Sequence, residues 1–344
     1  MNKADGYNAR EGYDRIARER ETIRKRSESR IIHLRQFDNW IKSALIDRFC
    51  PGPNATILDL ACGKGGDIKK MKLKKPSKIV FADISPESLN SLYDRHNKEL
   101  YDMQCDFMML EGDVFAIDIN PFLEDVYFHF VSCQFALHYA FIDEKTANTA
   151  ISNICQHLMP GGHAVITTLD ACRIVHQFKD QAKKASNQEQ KDTVHNSVFK
   201  MVRKFEVDSE IPPFGAKYIF YLDNVVNGIP EYLVHPQVLE DLFNKYECDL
   251  IESFAFDEYY DYCMKNDPSM KNLFYDLLKI LAAIENSAMT EDEWYVCRLY
   301  KFYVFKKRGT PEPLPEAIKN NSSYRDYIRI DVSMGKNISK YRNR

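Results

Sequence analysis

The sequence predicts an α/β protein in which a mostly parallel β-sheet carries helices on both faces. Strand-like apolar runs alternate with helical stretches, and a glycine-rich turn follows the first of these runs. The chain has 344 residues, of which 44% are hydrophobic and 28% charged, as in ordinary globular proteins. A polar stretch at about 171–217 interrupts the alternation. We therefore expect a β-containing subdomain inserted into the α/β core.

The first predicted element is an amphipathic helix at 27–49, because apolar residues recur there at helical spacing before the turn residues 51–54. Predicted strands then lie at 56–60, 78–83, 107–110, 126–133 and 163–168, with helices near 86–104 and 145–158. In the insertion and just beyond it we expect a helix at 173–191 and strands at 198–205 and 218–222. The remainder predicts a helix near 236–246, a strand at 249–256, a helix around 268–286 and a last strand at 298–305.

Charge divides the chain into three regions: a basic N-terminal segment at 1–26, the predicted domain at 27–307, and a basic tail at 308–344 that we expect to be flexible. Net charge is −3. Residues 1–35 carry ten Lys/Arg against six Asp/Glu, and 308–344 carry eight against four, so the middle of the chain stands at −11. Basic ends suit local contact with a short piece of nucleic acid. They are equally compatible with ordinary solvated termini.

Several classes of protein are excluded by composition. No apolar run approaches the roughly 18–20 residues that cross a bilayer, and the N-terminus is too polar for a signal peptide. The nine cysteines are scattered, without a C-x-x-C pair or a histidine at zinc-like spacing. We expect reduced thiols in a cytosolic or nuclear protein, and we expect neither a bound metal nor a membrane partner.

The glycine-rich turn runs from Leu58 to Asp67, after the first predicted strand. Its glycines let a ligand approach the backbone at the start of a helix. Such a turn alone is a weak signal, since NAD-binding folds use a related G-x-G-x-x-G pattern. The spacing Gly63-x-Gly65-Gly66 does not fit that pattern. An acidic residue, Asp59, ending the strand before closely spaced glycines fits a site for S-adenosylmethionine (SAM) better.

Two further carboxylates follow predicted strands. Asp83 ends the second strand, seventeen residues after Gly66, where it can accept both ribose hydroxyls of an adenosine. It could instead cap the helix that begins near Pro86. Asp113, after Gly112 and the third strand, would lie by the adenine ring, or could belong to a simple turn. Together these features predict a nucleoside cofactor, and methyl transfer rather than hydride transfer.

The segment Cys133 to Tyr139 follows the fourth strand and contains Gln134, Phe135 and His138. Ligands of open α/β sheets lie beyond the carboxyl ends of the strands. Aromatic, amide and imidazole side chains there can stack on a base and hydrogen-bond to it. For His138 a packing role in the core is an equal alternative.

Basic side chains accompany the glycine turn: Lys64 within it, Lys70 on the following helix and Arg95 on the next. A cation in a cofactor turn pairs naturally with phosphate, so Lys64 is unexpected for a methyltransferase that acts on an uncharged small molecule. A solvated surface position remains a reasonable alternative for Lys70 and Arg95.

At these residues the sequence resembles the mRNA cap guanine-N7 methyltransferase family. The blocks that carry the resemblance are RKRSESRIIHLRQFDNWIKSALI, LDLACGKGGDIKK, CQFALHYAF, PPFGAKYIFYL, IPEYLVHP and EWYVCRLYKFYVF. They stand in the family's order over about residues 20–307. The resemblance implies a class I SAM-dependent methyltransferase fold of the Rossmann-like type. It also implies SAM as methyl donor, with S-adenosylhomocysteine as product.

The resemblance assigns roles residue by residue. Lys42 would reach the methionine carboxylate of SAM, Asp83 the ribose and Asp113 the adenine edge. The full set of expected cofactor residues is Lys42, Asp59, Ala61, Gly63, Asp83, Asp113, Gln134 and Tyr139. The expected cap-binding residues are Asn39, Phe135, His138, Glu231 and Tyr300 around the guanine, with Lys64, Lys70 and Arg95 on the phosphates, and Asp38 beside Asn39.

Glu231 illustrates how much the resemblance adds. Its carboxylate can accept hydrogen bonds from guanine N1–H and N2–H₂ as a bidentate pair, which adenine cannot offer. Taken without the resemblance, Glu231 is an ordinary loop residue. Tyr139, Glu231 and Tyr300 are expected to position the base, and no residue is expected to act as a general acid or base.

Three positions depart from the family's pattern. Ala61 stands where the first glycine of the turn is usual, so the backbone there must tolerate a methyl group. Asp38 replaces an asparagine beside Asn39 and adds negative charge near a phosphorylated ligand. Leu169, in the sequence TTLDA, replaces a proline near the guanine. These changes bear on cofactor fit and guanine affinity rather than on the reaction.

The predicted reaction is methyl transfer to N7 of the terminal guanosine of capped mRNA. The 5′-capped RNA is the expected partner, other capping enzymes or RNA polymerase are further candidates, and the expected compartment is the nucleus, with the cytoplasm as alternative. Rival functions are a SAM methyltransferase for a small molecule or another RNA site, and a cap-binding module without SAM. An NAD-dependent oxidoreductase is excluded by the glycine spacing and by the lack of an evident proton donor paired with a hydride site.

Overall fold

A nine-stranded β-sheet forms the centre of the molecule. The computed structural model describes residues 11, 14, 29–102, 105–123, 125–223, 225–279, 288–311, 313–314 and 325–343. The predicted basic segment 1–26 therefore lies, apart from residues 11 and 14, outside the described residues. The strands of this sheet follow the order β10-β11-β5-β4-β1-β2-β3-β12-β13. β1 to β5 and the β3–β12 pair are parallel, whereas β10, β11 and β13 pair antiparallel with their neighbours.

The strands of the sheet and of the insertion are β1 (Thr56–Leu60), β2 (Lys78–Asp83), β3 (Asp106–Glu111), β4 (Phe128–Gln134), β5 (Leu158–Leu169), β6 (Thr193–His195), β7 (Phe199–Arg203), β8 (Lys217–Leu222), β9 (Val226–Tyr232), β10 (Cys248–Ala255), β11 (Tyr300–Lys307), β12 (Arg325–Asp331) and β13 (Lys336–Asn343). The helices are α1 (Ile32–Phe49), α2 (Ile68–Lys72), α3 (Pro86–Asp102), α4 (Asn120–Leu123), α5 (Glu144–Cys155), α6 (Ala171–Lys184), α7 (Gln188–Lys191), α8 (Pro236–Asn244), α9 (Phe256–Asn266), α10 (Pro268–Lys279) and α11 (Glu291–Cys297). A 3₁₀ helix spans Leu137–Ile142.

Helices cover both faces of the sheet, as predicted. Successive residues of a strand point to opposite faces, so Ile57 belongs to one apolar cluster and Leu58 to a second. The first cluster contains the buried faces of α1 and α3, and the second those of α5 and α8. The predicted α/β class, with a mostly parallel sheet between two helical layers, is confirmed.

The carboxyl ends of β1, β2, β3 and β4 lie along one edge of the sheet. β1 is the switch strand, because it pairs with β2 on one side and with β4 on the other. Ligands of such sheets bind at this edge. The fold therefore brings the segments that follow Leu60, Asp83, Glu111 and Gln134 to a common site.

The insertion is a separate four-stranded antiparallel sheet in the order β6-β7-β8-β9. It extends to Tyr232, whereas the sequence predicted an insertion that ends near 217. The predicted boundary was too early because β9 contains Gly228 and Pro230, which weaken a strand signal. Backbone pairing between β8 and β9 overrides that weak local preference. The same pairing brings Glu231 back toward the ligand-binding edge of the central sheet.

The C-terminal region also differs from the prediction of a flexible tail. β12 pairs in parallel with β3, and β13 pairs with β12, so 325–343 form the last two strands of the central sheet. Ile330 is buried. Local sequence did not reveal these strands because their stability comes from pairing with an edge that is remote in the chain.

Cysteine, metal and membrane features can be stated for the described residues. All nine cysteines fall among them and are free thiols, and Cys172 is exposed. In that part of the chain no helix is long and apolar enough to span a bilayer. Within the same ranges no group of three or more His, Cys, Asp or Glu side chains is placed to hold a metal ion.

Candidate active site

The glycine turn after β1 is held in a left-handed backbone conformation at several residues. Gly63 and Gly65 have φ values of +53° and +70°, and Ala61 has +57°. The methyl group at Ala61 is thus accommodated in a conformation that usually favours glycine. A Cβ at Gly65 would lie 2.6 Å from Ile68 Cδ1, whereas a Cβ at Gly63 would meet nothing within 4 Å. The backbone at Gly63 therefore faces open space.

Asp83 fixes this turn from the end of β2. Its Oδ2 accepts a 2.7 Å hydrogen bond from the Gly63 N–H, and its Oδ1 accepts one of 2.9 Å from Ser85 N–H. The Ser88 N–H donates to Ser85 Oγ at 3.0 Å, so Ser85 caps the helix that Asp83 was alternatively expected to cap. Burial raises the pKa of Asp83 to about 6. The carboxylate is placed beside the turn, as a ribose ligand requires.

Asp59 and Asp113 flank Asp83 on the same sheet edge. Burial raises the pKa of Asp59 well above its usual range, and the carboxylates of Asp67 and Asp83 raise it further. Asp113 accepts 3.2 Å hydrogen bonds from the N–H groups of Phe115 and Ala116, and burial raises its pKa. The loop after β3 is joined to β2, because Gly112 N–H donates to the Asp83 carbonyl at 3.0 Å.

Asp67 forms ion pairs with two lysines that are predicted to bind ligands. Lys42 Nζ and Lys70 Nζ lie 2.9 and 2.7 Å from the same oxygen, Asp67 Oδ1. Lys70 also donates to Asn39 Oδ1 and to the Gly66 carbonyl, at 3.1 Å each. Although burial acts in the opposite direction, the two lysines lower the pKa of Asp67 to about 2. Asp67 belongs to the glycine motif, but the sequence predicts no role for it because sequence spacing does not reveal its contact with α1.

Asp38 lies next to this group on α1. Burial raises its pKa to about 7, although Lys42 and Arg35 pull it in the opposite direction. A substantial fraction of this carboxyl is therefore protonated at neutral pH. The negative charge that the sequence suggested at this position is accordingly reduced.

Glu231, His138 and Tyr139 meet in a second, buried part of the site. Tyr139 donates a 3.3 Å hydrogen bond to Glu231 Oε1, and His138 Nε2 lies 3.5 Å from the same oxygen. Glu231 is 2% exposed and His138 3%. β9 supplies Glu231, and the 3₁₀ helix after β4 supplies the other two. Glu231 is therefore a buried site residue rather than part of a surface loop.

Tyr218 is a member of this cluster that sequence reasoning missed. It is fully buried, and burial together with the neighbouring Glu231 carboxylate raises its pKa well above the usual range. In the described part of the chain, Tyr218 Oη and Glu231 Oε2 have no hydrogen-bond partner. Such orphaned buried atoms are costly unless a ligand or water satisfies them. The sequence pattern does not indicate this role, because Tyr218 alternates with other apolar residues of β8 as a core residue does.

Aromatic side chains form a wall beside this cluster. Phe135 and Tyr300 meet edge to face with ring centroids 5.2 Å apart, and Phe256 stacks on Tyr300 at 5.7 Å. Phe135 has a left-handed φ of +57°, held by hydrogen bonds from its N–H to the carbonyl and hydroxyl oxygens of Thr167. Leu169 is 2% exposed and pairs with Tyr300 between β5 and β11.

The remaining predicted residues lie around these groups. Gln134 donates to Ser132 Oγ and accepts from Thr167 Oγ1, both at 3.1 Å, at the carboxyl end of β4. Lys64 is partly buried within the glycine turn, and Arg95 is exposed on α3. The three predicted phosphate ligands thus belong to three different elements: the turn, α2 and α3.

Two observations test whether a nucleoside cofactor and a polar base fit here. The backbone at Gly63 faces open space beside the Asp83 carboxylate. In addition, the buried atoms Glu231 Oε2 and Tyr218 Oη have no hydrogen-bond partner of good geometry within the ranges that the structure describes. Both fit the expected ligands. An α/β sheet with an acidic strand end, a glycine turn and a second acidic strand end at the switch point defines a class I SAM-dependent methyltransferase.

Comparison with known proteins narrows this class to a family. A profile of the mRNA (guanine-N(7))-methyltransferase domain matches residues 2–308. An mRNA cap guanine-N(7) methyltransferase of Arabidopsis thaliana is 32% identical over 92% of this chain and 85% of its own length. Relatives of the same name occur in Caenorhabditis elegans (33% identity, 69% of this chain, 63% of the relative) and Schizosaccharomyces pombe (30%, 83% and 78%). The chain belongs to the mRNA (guanine-N(7))-methyltransferase family, so the predicted resemblance is confirmed, and SAM is its methyl donor.

Proposed function

We propose that this chain transfers the methyl group of SAM to N7 of the terminal guanosine of capped mRNA. The observation that carries the proposal is the buried Glu231 carboxylate. One of its oxygens contacts Tyr139 and His138, and the other has no partner in the described part of the chain. A buried carboxylate with one oxygen that lacks a hydrogen-bond partner suits a ligand with adjacent N–H donors. Guanine offers such a pair at N1 and N2.

Selectivity for guanine follows from the cost of leaving this cluster unsatisfied. Adenine presents no N1–H, so it would bury Glu231 Oε2 without a donor. A site built to hydrogen-bond one ligand rejects an analogue that lacks the donor by roughly 10⁴–10⁵-fold in favourable cases. Phe135 and Tyr300 add flat apolar surface beside the polar cluster. Tyr218 Oη offers a further polar contact.

The cofactor side of the proposal uses the residues around the glycine turn. SAM supplies a methyl group that is already activated by its positively charged sulfur. Asp83 would accept hydrogen bonds from the ribose hydroxyls, and Asp113 would contact the adenine edge. Lys42 would pair with the methionine carboxylate of SAM. This new ion pair would replace part of the interaction between Lys42 and Asp67. Gln134 and Tyr139 would line the methionine side.

The reaction needs no general base, since guanine N7 carries a free lone pair and loses no proton. The protein's task is then to hold the acceptor in line with the methyl group, which in favourable cases contributes about 7–11 kcal/mol. The base gains positive charge as it is methylated. A neighbouring carboxylate at Glu231 stabilises that charge, in an environment where burial strengthens electrostatic interactions.

The decisive experiment is incubation of the purified protein with labelled SAM and RNA carrying an unmethylated cap. Uncapped RNA of the same sequence is the control. After nuclease digestion, we expect label only in N7-methylguanosine and only with capped RNA. Label in uncapped RNA, or at another base, would contradict the proposal. Binding of SAM and cap without transfer would point to a binding module or to a missing activating partner.

We also propose the cellular setting that this reaction requires. An enzyme that modifies new mRNA caps is expected to work in the nucleus and to meet other capping enzymes or RNA polymerase. Tagging the protein and locating it by fluorescence tests the compartment, and affinity purification tests the partners. A strictly cytoplasmic protein without capping enzymes among its partners would contradict this part of the proposal.

A further inference from the structure

The C-terminal strands lie beyond the region that the family profile matches, which ends at residue 308. β12 runs parallel to β3 and pairs with it from Tyr327–Phe107 to Asp331–Glu111. Without this pairing β3 would be an edge strand of the described sheet, and edge strands are poorly protected. The carboxyl end of β3 leads directly to Asp113. The end of β12 and the turn between β12 and β13 therefore lie beside a loop that is assigned to the cofactor.

Arg329 connects β12 to two elements at this edge. Its Nε donates to Glu111 Oε2 at 2.9 Å, and Nη2 donates to the same oxygen. Nη1 donates to Asn90 Oδ1, and Nη2 also reaches the Pro86 carbonyl at 3.3 Å. The Arg329 and Glu111 side chains are 14% and 12% exposed. One guanidinium thus joins the end of β3 to the start of α3, which follows Asp83.

Val332 reinforces the same junction. Its N–H donates to the Glu111 carbonyl at 2.9 Å, and its side chain is 4% exposed. It lies so close to Gly112 that a Cβ there would come within 2.5 Å of Val332 Cγ2. Gly112 has a φ of +147° and donates to the Asp83 carbonyl. The turn after β12 therefore packs against the backbone that links Asp83 and Asp113.

We infer that Arg329 is a positioning residue for the adenosine half of SAM, which acts by holding the loops of Asp83 and Asp113 together. This inference rests on the proposed function only in assigning those two carboxylates to the ribose and the adenine. Arg329 is not among the residues assigned to the cofactor or the cap, and its hydrogen bonds go to Glu111, Asn90 and Pro86. Its loss should loosen the nucleoside pocket while leaving Glu231 and the guanine cluster in place.

The test is steady-state kinetics of Arg329→Ala together with calorimetric titration of S-adenosylhomocysteine. We expect KM for SAM and Kd for the product each to rise about five- to tenfold, within the range of about 2- to 30-fold that is typical of residues that couple to a site without contacting its ligand. At saturating SAM, kcat and KM for capped RNA should stay within about twofold. The constants of Arg329→Lys should fall between those of the wild type and Arg329→Ala. An ammonium keeps the positive charge but loses the paired donors that the guanidinium directs at Glu111.

Arg308→Ala is the matched control. Arg308 is exposed and pairs with Asp249 beside β10 and β11, at the opposite side of the sheet. Its removal should change neither SAM constant. Because Arg329 is argued to act through Glu111, the double variant Arg329→Gln/Glu111→Gln should weaken binding no more than the stronger single variant.

Three results would overturn the inference. They are an unchanged Kd in Arg329→Ala, an equal effect in Arg308→Ala, and a fall in kcat and cap affinity as large as the loss of SAM affinity. If Arg329→Ala does not fold, the Lys and Gln variants decide the question by the same constants. Calorimetry needs no RNA, so it tests this inference even if the wild-type protein fails to methylate caps.

Discussion

Glu231 is proposed to recognise the guanine of the cap, so its substitution should separate substrate recognition from cofactor binding. Glu231→Gln replaces one acceptor oxygen by an N–H₂ donor, which faces the donors of guanine. We expect kcat/KM for capped RNA to fall about 10- to 150-fold, as when a buried hydrogen bond to a charged group is lost. Calorimetric affinity for S-adenosylhomocysteine should stay within about twofold. Glu189→Gln, on the exposed helix α7, is the control, and wild-type turnover in Glu231→Gln would refute the guanine role.

Asp83→Ala, in contrast to Glu231→Gln, should weaken cofactor binding. It removes the carboxylate that holds Gly63 N–H and that is assigned to the ribose. SAM affinity should weaken by about 1.5–3 kcal/mol, the typical contribution of hydrogen bonds to a charged group. Titration calorimetry measures this change. Asp106→Ala, an exposed carboxylate at the other end of β3, should leave affinity unchanged, and equal affinities in all three proteins would exclude the ribose assignment.

Asp38 should make cap affinity dependent on pH near neutrality. Its pKa is raised to about 7 by burial, so the carboxyl is neutral below that pH and negative above it. Because Asp38 is assigned to the cap site, its ionisation should place a negative charge near the phosphorylated ligand. We therefore expect KM for capped RNA to rise as pH increases through about 7. Asp38→Asn should flatten this rise and lower KM at pH 8, and an identical pH profile in both proteins would contradict the assignment.

At the scale of elements, two helix caps offer a matched test of how the site is supported. Asp143 caps α5 through Thr146 N–H, and Asp170 caps α6 through the N–H groups of Cys172 and Arg173. Each Asp→Ala change should lower the free energy of unfolding by about 1 kcal/mol. Only Asp170 adjoins the site, because its N–H donates to the Leu299 carbonyl beside Tyr300.

We therefore expect Asp170→Ala to lower kcat/KM for capped RNA as well as stability. Asp143→Ala should lower stability alone. Urea unfolding and steady-state kinetics measure the two effects. Equal kinetic losses in both variants would mean that α6 has no special part in supporting the guanine pocket.

The elements also show what local sequence can and cannot predict. The α/β core was predictable because its strands alternate with helices and because Asp59, the glycine turn and Asp83 follow one another closely. The Glu231 cluster was not predictable from residues alone. Glu231 reaches His138 only through the pairing of β9 with β8, and its own strand contains Gly228 and Pro230. Lys42 likewise meets Asp67 only through the packing of α1 against α2.

The environment of individual side chains is a second reason why the site could not be fully predicted from the sequence. Tyr218 lies in an apolar alternation that resembles any core strand, so its orphaned hydroxyl became visible only in the folded chain. The state of Asp38 depends on burial, which no local pattern reports. The strands at 325–343 depend on the edge of β3, more than two hundred residues earlier in the sequence. In each case the decisive interaction is long-range.

At the scale of the whole molecule, charge limits how RNA can bind. The chain between residues 36 and 307 stands at −11, so it offers no broad attraction for an RNA strand. The expected phosphate contacts are local: Lys64 in the turn, Lys70 on α2 and Arg95 on α3. The cap itself should therefore supply most of the affinity for capped RNA, and lengthening the RNA should increase that affinity only slightly.

This distribution predicts a shallow dependence of cap binding on salt. Three phosphate contacts, at about 0.7 released counterions each, correspond to a slope of about −2 for log affinity against log salt. Shortening a capped 20-nucleotide RNA to a cap dinucleotide should raise Kd by less than about tenfold. Fluorescence titration between 50 and 400 mM salt measures both quantities, with S-adenosylhomocysteine as a ligand that should respond much less. A slope near −6, or a 100-fold advantage of the longer RNA, would show that an extended basic surface, such as the basic termini, holds the RNA body and that recognition is not confined to the cap.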